Sequence, residues 1–250
     1  MATRAEQLAE APFTLCLSAG FFGFFAHTGV LQALEERGVR PSRVVGVSAG
    51  SLAGGLYGLG LTPAAIEERL VRLERREFWD PGLPIGGILR GRKFDSILGD
   101  LLPQGSGTQL DAGPIPVTVV VWELARRRLL RLSKGPAAPA IRASCALPGL
   151  FRPVRVAGRW CWDGGIEDRS GVSALKPDER ALVCNLPHQV PWPEFGADAL
   201  SVAQKGARAP RYCLEPQDLP KVTPFALERG GAALASARAQ ALAWLDAPAV

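Results

Sequence analysis

Arg43-Val-Val-Gly-Val-Ser-Ala-Gly-Ser51 is the stretch that decides the fold of this chain. It starts as a β-branched run, which is typical of a buried strand, and then breaks into small residues around Ser48. The small-residue segment 51–59 that follows predicts a helix. A strand that turns sharply into a helix holds the central serine in a strained conformation with its hydroxyl exposed. Ser48 is therefore a candidate nucleophile, and the alternative is a tight turn that happens to contain a serine.

The two glycines of this turn have a steric role. Gly46 and Gly50 flank Ser48, where any side chain would collide with the strand or the helix on either side. The five-residue pattern alone is common, so it indicates a nucleophile elbow only because a predicted strand precedes it and a predicted helix follows it.

A second unit of the same kind precedes the first. The apolar run 13–18 predicts a strand, Gly20–Gly23 a turn, and the segment 30–37 a helix that stops at Gly38. Two strand–turn–helix units in succession favour an α/β fold with a mainly parallel sheet. Because neighbouring parallel strands end at the same edge of a sheet, we expect this turn to lie beside Ser48.

The remaining elements extend the α/β pattern, and no internal repeat or linker divides residues 1–250, so we expect a single domain. Proline-rich loops are expected at 80–87 and across most of 187–224. Further strands are predicted at 115–123, 129–133, 151–156, 158–162, 181–186 and 211–214, and further helices at 62–78, 94–102, 138–145 and 225–245.

Composition excludes several classes of protein. A 250-residue chain with 47% hydrophobic residues can bury a sizeable core, and no apolar run is long enough to span a membrane. The net charge of +5 comes without a nucleic-acid-binding motif or a concentrated basic face, although contact with an anionic membrane surface fits it. Without a signal-peptide core at the start, we expect a cytoplasmic protein, peripheral at membranes if it touches them.

The cysteines and histidines give no sign of a metal site or of a cofactor. Five cysteines are present, with no C-x-x-C pair, and the chain has two histidines. We expect free, mostly buried thiols and no bound metal.

A serine nucleophile needs a base, and the histidines are poor candidates for it. His27 follows the first strand and His188 lies in a proline-rich loop. An α/β-hydrolase would place several strands before its nucleophile and the acid and histidine after it, but one strand unit precedes Ser48 here.

Asp163 is the better candidate for the base. It follows a predicted hairpin strand and neighbours Trp160 and Trp162. We expect aromatic and backbone crowding to desolvate its carboxylate and raise its pKa. Gly164 and Gly165 let the backbone pass close to another segment, which we expect to be the elbow. A plain Asp-Gly-Gly turn is the alternative.

The third requirement of acyl-transfer chemistry is a set of donors for the oxyanion. The turn Gly20–Gly23 offers the backbone N–H groups of Gly20, Phe21, Phe22 and Gly23 at the start of a helix. A simple crossover turn or a dinucleotide-binding fingerprint are the alternatives, but the G-x-G-x-x-G pattern is absent.

Taken in order, these pieces resemble the patatin-like phospholipase family over about 13–168. The landmarks are the segment 17–31, the elbow Val45–Ser51, the segment Ile141-Arg-Ala-Ser-Cys-Ala-Leu-Pro-Gly-Leu-Phe-Arg-Pro-Val154, and Asp163-Gly-Gly165. The region 187–250 would then be the variable part of the family.

The resemblance implies a three-layer α/β/α sandwich that hydrolyses lipid acyl esters without a metal or cofactor. It implies Ser48 as nucleophile, Asp163 as base, and Gly20 with its neighbours as oxyanion donors. A phospholipase A or lysophospholipase-like activity follows, through an acyl-enzyme. An acyltransferase and a catalytically idle lipid-binding or regulatory protein are the alternatives, and the oligomeric state stays open.

One departure from the family pattern concerns the first turn. Family members usually have three consecutive glycines there, and often an arginine, whereas here the run is interrupted by Ala19, Phe21 and Phe22. We expect some of Phe21, Phe22, Phe24 and Phe25 to line an acyl-chain channel or touch a membrane, with core packing as the alternative.

Overall fold

The computed structural model describes residues 2–187 and 199–249. The strands are β1 (Thr14–Leu17), β2 (Arg43–Val47), β3 (Gly87–Leu89), β4 (Val117–Glu123), β5 (Arg128–Leu132), β6 (Gly149–Phe151), β7 (Val154–Val156), β8 (Arg159–Asp163), β9 (Ala181–Cys184) and β10 (Arg211–Leu214). The α-helices are α1 (Arg4–Ala9), α2 (Phe24–Glu36), α3 (Ala49–Gly58), α4 (Pro63–Leu70), α5 (Arg75–Phe78), α6 (Arg92–Leu101), α7 (Ala137–Ser144), α8 (Ala199–Gln204) and α9 (Gly230–Asp246).

The central sheet has the strand order β10-β9-β1-β2-β4-β8-β7, with β5 also paired to β4. The strands β10, β9, β1, β2 and β4 run parallel, whereas β5 and β8 run antiparallel to β4. The register pairs Leu17 at the end of β1 with Gly46 near the end of β2. The segments that follow these two strands therefore lie side by side, as predicted.

Both faces of the sheet are covered, which explains why its central strands are apolar without alternation. On β1, Leu15 and Leu17 pack with residues of α2 and α9 on one face. Cys16 points the other way and packs with Val172 and with Ala203 of α8. The predicted fold, a mostly parallel sheet flanked by helices, is confirmed.

Several features differ from the sequence predictions, among them α1 and α8, which were not predicted. The helix expected over 62–78 is two helices, because Glu74 is extended and starts α5 with its own capping box. The parallel pair β3–β6 was not predicted; it joins segments about sixty residues apart, which no local pattern reveals. Residue Phe225, expected in the last helix, precedes α9.

No helix in the described part of the chain is long and apolar enough to cross a lipid bilayer.

The packing of α2 on α9 depends on a glycine and yields a test of the fold. A Cβ on Gly29 would lie 2.2 Å from the Leu234 carbonyl oxygen and 3.0 Å from the Arg238 nitrogen. We expect Gly29→Ala to lower the free energy of unfolding by about 2 kcal/mol, since the helices must separate. Urea denaturation with circular dichroism measures it.

Gly231, in the first turn of α9, is the matched control. Nothing lies within 4 Å of a Cβ placed there. Gly231→Ala should therefore leave the stability unchanged or raise it by up to about 1 kcal/mol, through helix propensity alone. Equal destabilisation by both substitutions would contradict the helix contact described above.

Candidate active site

Ser48 sits at the sharp turn between β2 and α3. Its backbone has φ 52° and ψ −119°, a strained conformation for a residue with a side chain. A Cβ on Gly50 would lie 2.1 Å from the Leu17 carbonyl oxygen, and one on Gly46 would lie 2.5 Å from Ser51 Cα. Both predicted elbow glycines are thus required by close backbone approaches.

A small hydrogen-bond network fixes the elbow. The Ser48 N–H donates to Ser144 Oγ at 2.8 Å, and Ser144 Oγ donates to the Val120 carbonyl at 2.7 Å. Ser51 Oγ donates to the Ser48 carbonyl at 2.6 Å. Ser144 is the last residue of α7 and is fully buried. The sequence analysis missed it, since its only signal was its place in the segment before the acidic motif.

Asp163 ends β8 and is almost fully buried, with 4% of its surface exposed. Burial disfavours the charged carboxylate and raises the pKa of Asp163 to about 6. Hydrogen bonding from the Ser48 hydroxyl and from the Gly165 N–H, and the charge of Arg169, work against this rise. The structure therefore brings Ser48 and Asp163 together, as predicted.

The backbone also holds the Asp163 carboxylate. The Gly165 N–H donates to Asp163 Oδ1 at 2.8 Å. This bond fixes one carboxylate oxygen, and the Ser48 hydroxyl is the other hydrogen-bonding group that acts on the carboxyl.

The cause of the raised pKa agrees with the expectation in part. Side chains alternate along a strand, so Trp160 and Trp162 project from the face of β8 opposite to Asp163. Trp160 is 54% exposed. The aromatic part of the expected crowding is therefore wrong, whereas burial by close backbone packing, the other part, raises the pKa of Asp163.

The two glycines after Asp163 allow this close backbone packing. A Cβ on Gly164 would lie 2.6 Å from the Val120 carbonyl oxygen. A Cβ on Gly165 would lie 3.0 Å from Ala19 Cβ, in the residue before the first turn. The two glycines therefore let the segment pack closely against β4 and against the residue before the first turn, whereas the expected neighbour was the elbow.

The turn Gly20–Gly23 lies beside the elbow, and three of its four N–H groups are available. The Gly23 N–H already donates to the Gly20 carbonyl at 2.9 Å, closing the turn. In the described part of the chain, the N–H groups of Gly20, Phe21 and Phe22 have no backbone acceptor. Phe22 has φ 56°, a left-handed conformation that usually belongs to glycine.

Ala49 adds a donor that the sequence analysis did not name. It is the first residue of α3, so its N–H has no partner within the helix and points out of the helix start. Since it directly follows Ser48, this N–H lies next to the serine hydroxyl. An N–H from the elbow and an N–H from the first turn are thus both placed to bind an oxyanion, which is the usual combination of donors at a nucleophile elbow.

His27 has a structural place. It is fully buried in α2, its Nε2 lies 2.8 Å from the Ser18 carbonyl oxygen, and its Nδ1 lies 3.7 Å from Cys184 Sγ. Burial lowers the pKa of His27 to about 4, so the ring is neutral. His188, the other histidine, lies outside the described residues.

A cavity of about 430 Å³ opens above Ser48 and Asp163, and its lining is almost entirely apolar. Of the four phenylalanines singled out from the sequence, Phe21, Phe22 and Phe24 line this cavity, whereas Phe25 is 1% exposed and lies in the core. Other lining residues are Leu52, Leu70, Phe78, Trp79, Leu89, Phe94, Leu101 and Phe151.

A buried arginine supports the far wall of this cavity. Arg142 of α7 is 3% exposed and donates to the carbonyls of Arg90 and Gly91, at 2.8 and 3.1 Å. Its guanidinium lies 5.2 Å from the Phe151 ring centre and 3.4 Å from an Asp95 carboxylate oxygen. These contacts join α7, the loop before α6 and the cavity lining into one unit, which the sequence did not reveal.

Cys145 is the other nucleophilic side chain at this site. Its Sγ lies 3.2 Å from the Ser48 carbonyl oxygen, and it lines the cavity. Burial raises the pKa of this thiol to about 12, so it stays protonated near neutral pH. A protonated thiol is a poor nucleophile. All five cysteines lie in the described part of the chain, and none of them forms a disulfide bond.

Comparison with known proteins identifies the family. The model described as "Patatin-like phospholipase" matches residues 15–176. The chain belongs to the patatin-like phospholipase family. The match covers the first turn, the elbow and the Asp-Gly-Gly segment, so the resemblance inferred from those landmarks is confirmed.

Relatives of this patatin-like chain include an uncharacterised NTE family protein of Mycobacterium tuberculosis. It is 34% identical over 169 residues, which cover 67% of this chain and 46% of the relative. The Lysophospholipase NTE1 of Candida glabrata is 30% identical over 182 residues, covering 69% of this chain and 10% of the relative. The chain thus spans less than half the length of these curated relatives.

Among solved structures, VipD from Legionella pneumophila has a similar fold. The TM-score is 0.66 at 15% sequence identity, and the alignment covers 94% of this chain and 67% of VipD. At that identity, the similarity extends to the fold of the patatin-like domain and not to its substrates.

The buried carboxyl predicts a pH-dependent gain of stability in Asp163→Asn. Ionising Asp163 in the folded state is unfavourable because its pKa lies near 6, above the ordinary 3.8. The asparagine variant should be more stable at pH 8 by about 2–3 kcal/mol. The difference should shrink as pH falls from 6 towards 3.8 and vanish below about pH 3, where Asp163 is protonated in both the folded and the unfolded state of the wild type. Denaturant unfolding at several pH values measures this.

Asp246→Asn is the control, because Asp246 is exposed and its hydrogen bond from Arg37 lowers its pKa. That substitution should give no gain at pH 8. A gain in Asp163→Asn that does not change with pH would contradict a raised pKa.

Proposed function

We propose that this chain is a serine acyl-ester hydrolase acting on lipids, with Ser48 as nucleophile and Asp163 as general base. The observation that carries the proposal is the placement of a buried carboxyl with a pKa near 6 beside a strained serine, under an apolar cavity. A base with that pKa is ionised at neutral pH and can still accept a proton. Family membership supports a lipid hydrolase in general; the roles of these residues are our proposal.

The first half of the reaction forms an acyl-enzyme. Ser48 Oγ attacks the ester carbonyl carbon while its proton passes to the Asp163 carboxylate. The oxyanion accepts hydrogen bonds from the N–H of Ala49 and from the free N–H groups of the turn at Gly20, Phe21 and Phe22. The C–O bond to the alcohol then breaks, and Asp163 returns the proton to the leaving oxygen.

The second half releases the fatty acid. Water attacks the acyl carbon, Asp163 takes its proton, and the tetrahedral intermediate collapses with Ser48 as leaving group. The same carboxyl therefore acts as base and acid in each half. The Gly165 N–H bond keeps Asp163 Oδ1 fixed through both steps.

The cavity supports an acyl chain as the group held next to Ser48. Its lining is apolar apart from the reacting pair and the two cations Arg69 and Arg169. Arg69 already pairs with Glu77 at 2.5 Å. We therefore propose phospholipase A or lysophospholipase-like activity, with one acyl chain among the phenylalanines of the cavity. The names of the family model and of the Candida relative are consistent with it.

Labelling tests the proposed nucleophile. A fluorophosphonate probe should label the wild-type chain once, at Ser48, because the probe needs an activated serine. Ser48→Ala should lose the label together with at least about a thousandfold of the ester hydrolysis. Mass spectrometry of tryptic peptides locates the label.

Ser51→Ala is the control, since Ser51 lies one turn away and supports the elbow through the Ser48 carbonyl. It should keep the label. A wild-type protein that takes up no probe would instead favour the idle lipid-binding alternative, and ester products formed with an added alcohol would favour acyl transfer.

The pH profile tests the proposed base. Since ionised Asp163 is the reactive form, kcat/KM should fall about tenfold per pH unit below pH 6 and level off above it. Stopped assays with a short-chain ester between pH 4.5 and about 8 measure it. A profile that is flat through pH 6, in protein shown to stay folded, would rule out Asp163 as the base.

A further inference from the structure

The segment 81–93, here called the docking loop, exposes aliphatic side chains next to the cavity. Leu83, Ile85 and Ile88 are 71, 67 and 44% exposed. Ile88 directly precedes Leu89, which lines the cavity. An exposed apolar cluster at the edge of a binding cavity is typical of an interaction surface.

The docking loop is an ordered structure. The Gly82 N–H donates to the Ile88 carbonyl at 2.9 Å, and the Arg152 guanidinium donates to the Leu83 carbonyl at 2.6 Å. The Arg142 contacts at Arg90 and Gly91 hold its far end. The ordered backbone of the loop therefore holds these apolar side chains at the surface, and their exposure does not come from disorder.

The charges around the loop are basic. Arg90, Arg92 and Lys93 are exposed, Arg152 contacts the loop, and no acidic residue lies within it. The acidic residues that flank the loop in sequence are both engaged in the fold. The Asp80 carboxylate accepts from the N–H groups of Gly91 and Arg92 at the start of α6, and Asp95 faces the Arg142 guanidinium.

A second apolar group extends this edge of the cavity. Phe225 is 71% exposed, and its ring centre lies 5.9 Å from that of Trp79, a cavity-lining residue. The Arg75 guanidinium lies 4.8 Å from the Phe225 ring centre. Apolar tips next to cationic groups therefore recur on this side of the cavity.

We propose that the docking loop inserts its aliphatic tips into an anionic lipid bilayer, with the basic residues on the lipid phosphates. Apolar side chains that enter the acyl region, together with Lys and Arg at the headgroups, are the two contributions that hold a peripheral protein on such a surface. A nucleic acid would contact the basic residues but would leave the aliphatic side chains exposed to water, so it fits this surface less well than a bilayer does. The choice of a lipid partner rests on the proposed hydrolase function, but binding itself needs no catalysis.

Vesicle sedimentation with the Ser48→Ala chain separates binding from hydrolysis. The probes are vesicles of phosphatidylcholine alone and of phosphatidylcholine mixed with phosphatidylglycerol. We expect binding to the mixed vesicles to be at least about tenfold tighter and to weaken with salt. Equal binding to both compositions, or no binding, would overturn the proposal.

Two variants of the loop test its separate contributions. Leu83→Ser with Ile85→Ser should weaken binding to mixed vesicles about tenfold, through lost apolar insertion. Arg92→Glu should weaken it by a similar factor through charge, and a glutamate suits the first turn of α6. Unchanged binding by both variants, with folding verified by circular dichroism, would overturn the proposal.

Lys134→Glu is the charge-matched control. Lys134 follows β5, whose Leu132 pairs with Val119, so the chain there runs towards the sheet edge opposite to Ser48. Lys134→Glu should leave vesicle binding unchanged. If it weakened binding as much as Arg92→Glu does, the effect would come from the net charge of the protein, and the proposal would be overturned.

A second assay separates this proposal from the proposed function. With Ser48 restored, the loop variants should hydrolyse a soluble short-chain ester at the wild-type rate. Loss of that activity would place the loop in the catalytic cavity and overturn its role in docking. If the wild-type chain did not hydrolyse the same ester, that result would contradict the proposed hydrolase function and would leave the vesicle-binding result unaffected.

Discussion

The approach of Gly50 to the Leu17 carbonyl, where a Cβ would lie 2.1 Å from that oxygen, is the constraint on which the site depends. It brings the start of α3 against the end of β1, so the chain must turn sharply after β2. That turn forces Ser48 to φ 52° and exposes its hydroxyl. Because the turn at Gly20 follows β1, the same contact sets the serine beside backbone N–H groups that have no backbone acceptor among the residues described by the structure.

The second constraint is electrostatic. Asp163 is held at the level of Ser48 by the antiparallel pairing of β8 with β4, and there the carboxylate is shielded from water. Its ionised form is therefore unfavourable in the folded state, which opposes stability at neutral pH but gives the carboxyl the strength that the proposed role as a base requires. The strained serine and the buried carboxyl both depend on the packing of the surrounding sheet, which must hold them against these costs.

Much of this arrangement could be read from the sequence, because Ser48, Asp163 and their glycines sit in short motifs at strand ends. The residues that could not be predicted act through tertiary contacts. Ser144 accepts a hydrogen bond from the Ser48 N–H although the two residues are 96 positions apart in the sequence. Arg142 contacts Arg90, 52 positions away, and so supports the cavity wall. The β3–β6 pair was missed for the same reason. Trp160 and Trp162 do not shield Asp163 as expected, because successive side chains of a strand point to opposite faces of the sheet.

Phe22 couples the backbone of the first turn to the wall of the cavity. Its left-handed backbone is unfavourable by about 1 kcal/mol for a residue with a Cβ. Its ring nevertheless forms part of the wall, 5.0 Å from the Phe21 ring centre and 5.7 Å from that of Phe78. Glycine at this position would relax the backbone and remove that part of the wall in one step. A single codon change would therefore enlarge the space beside Ser48 while releasing strain in the turn, which makes this position a natural point of divergence.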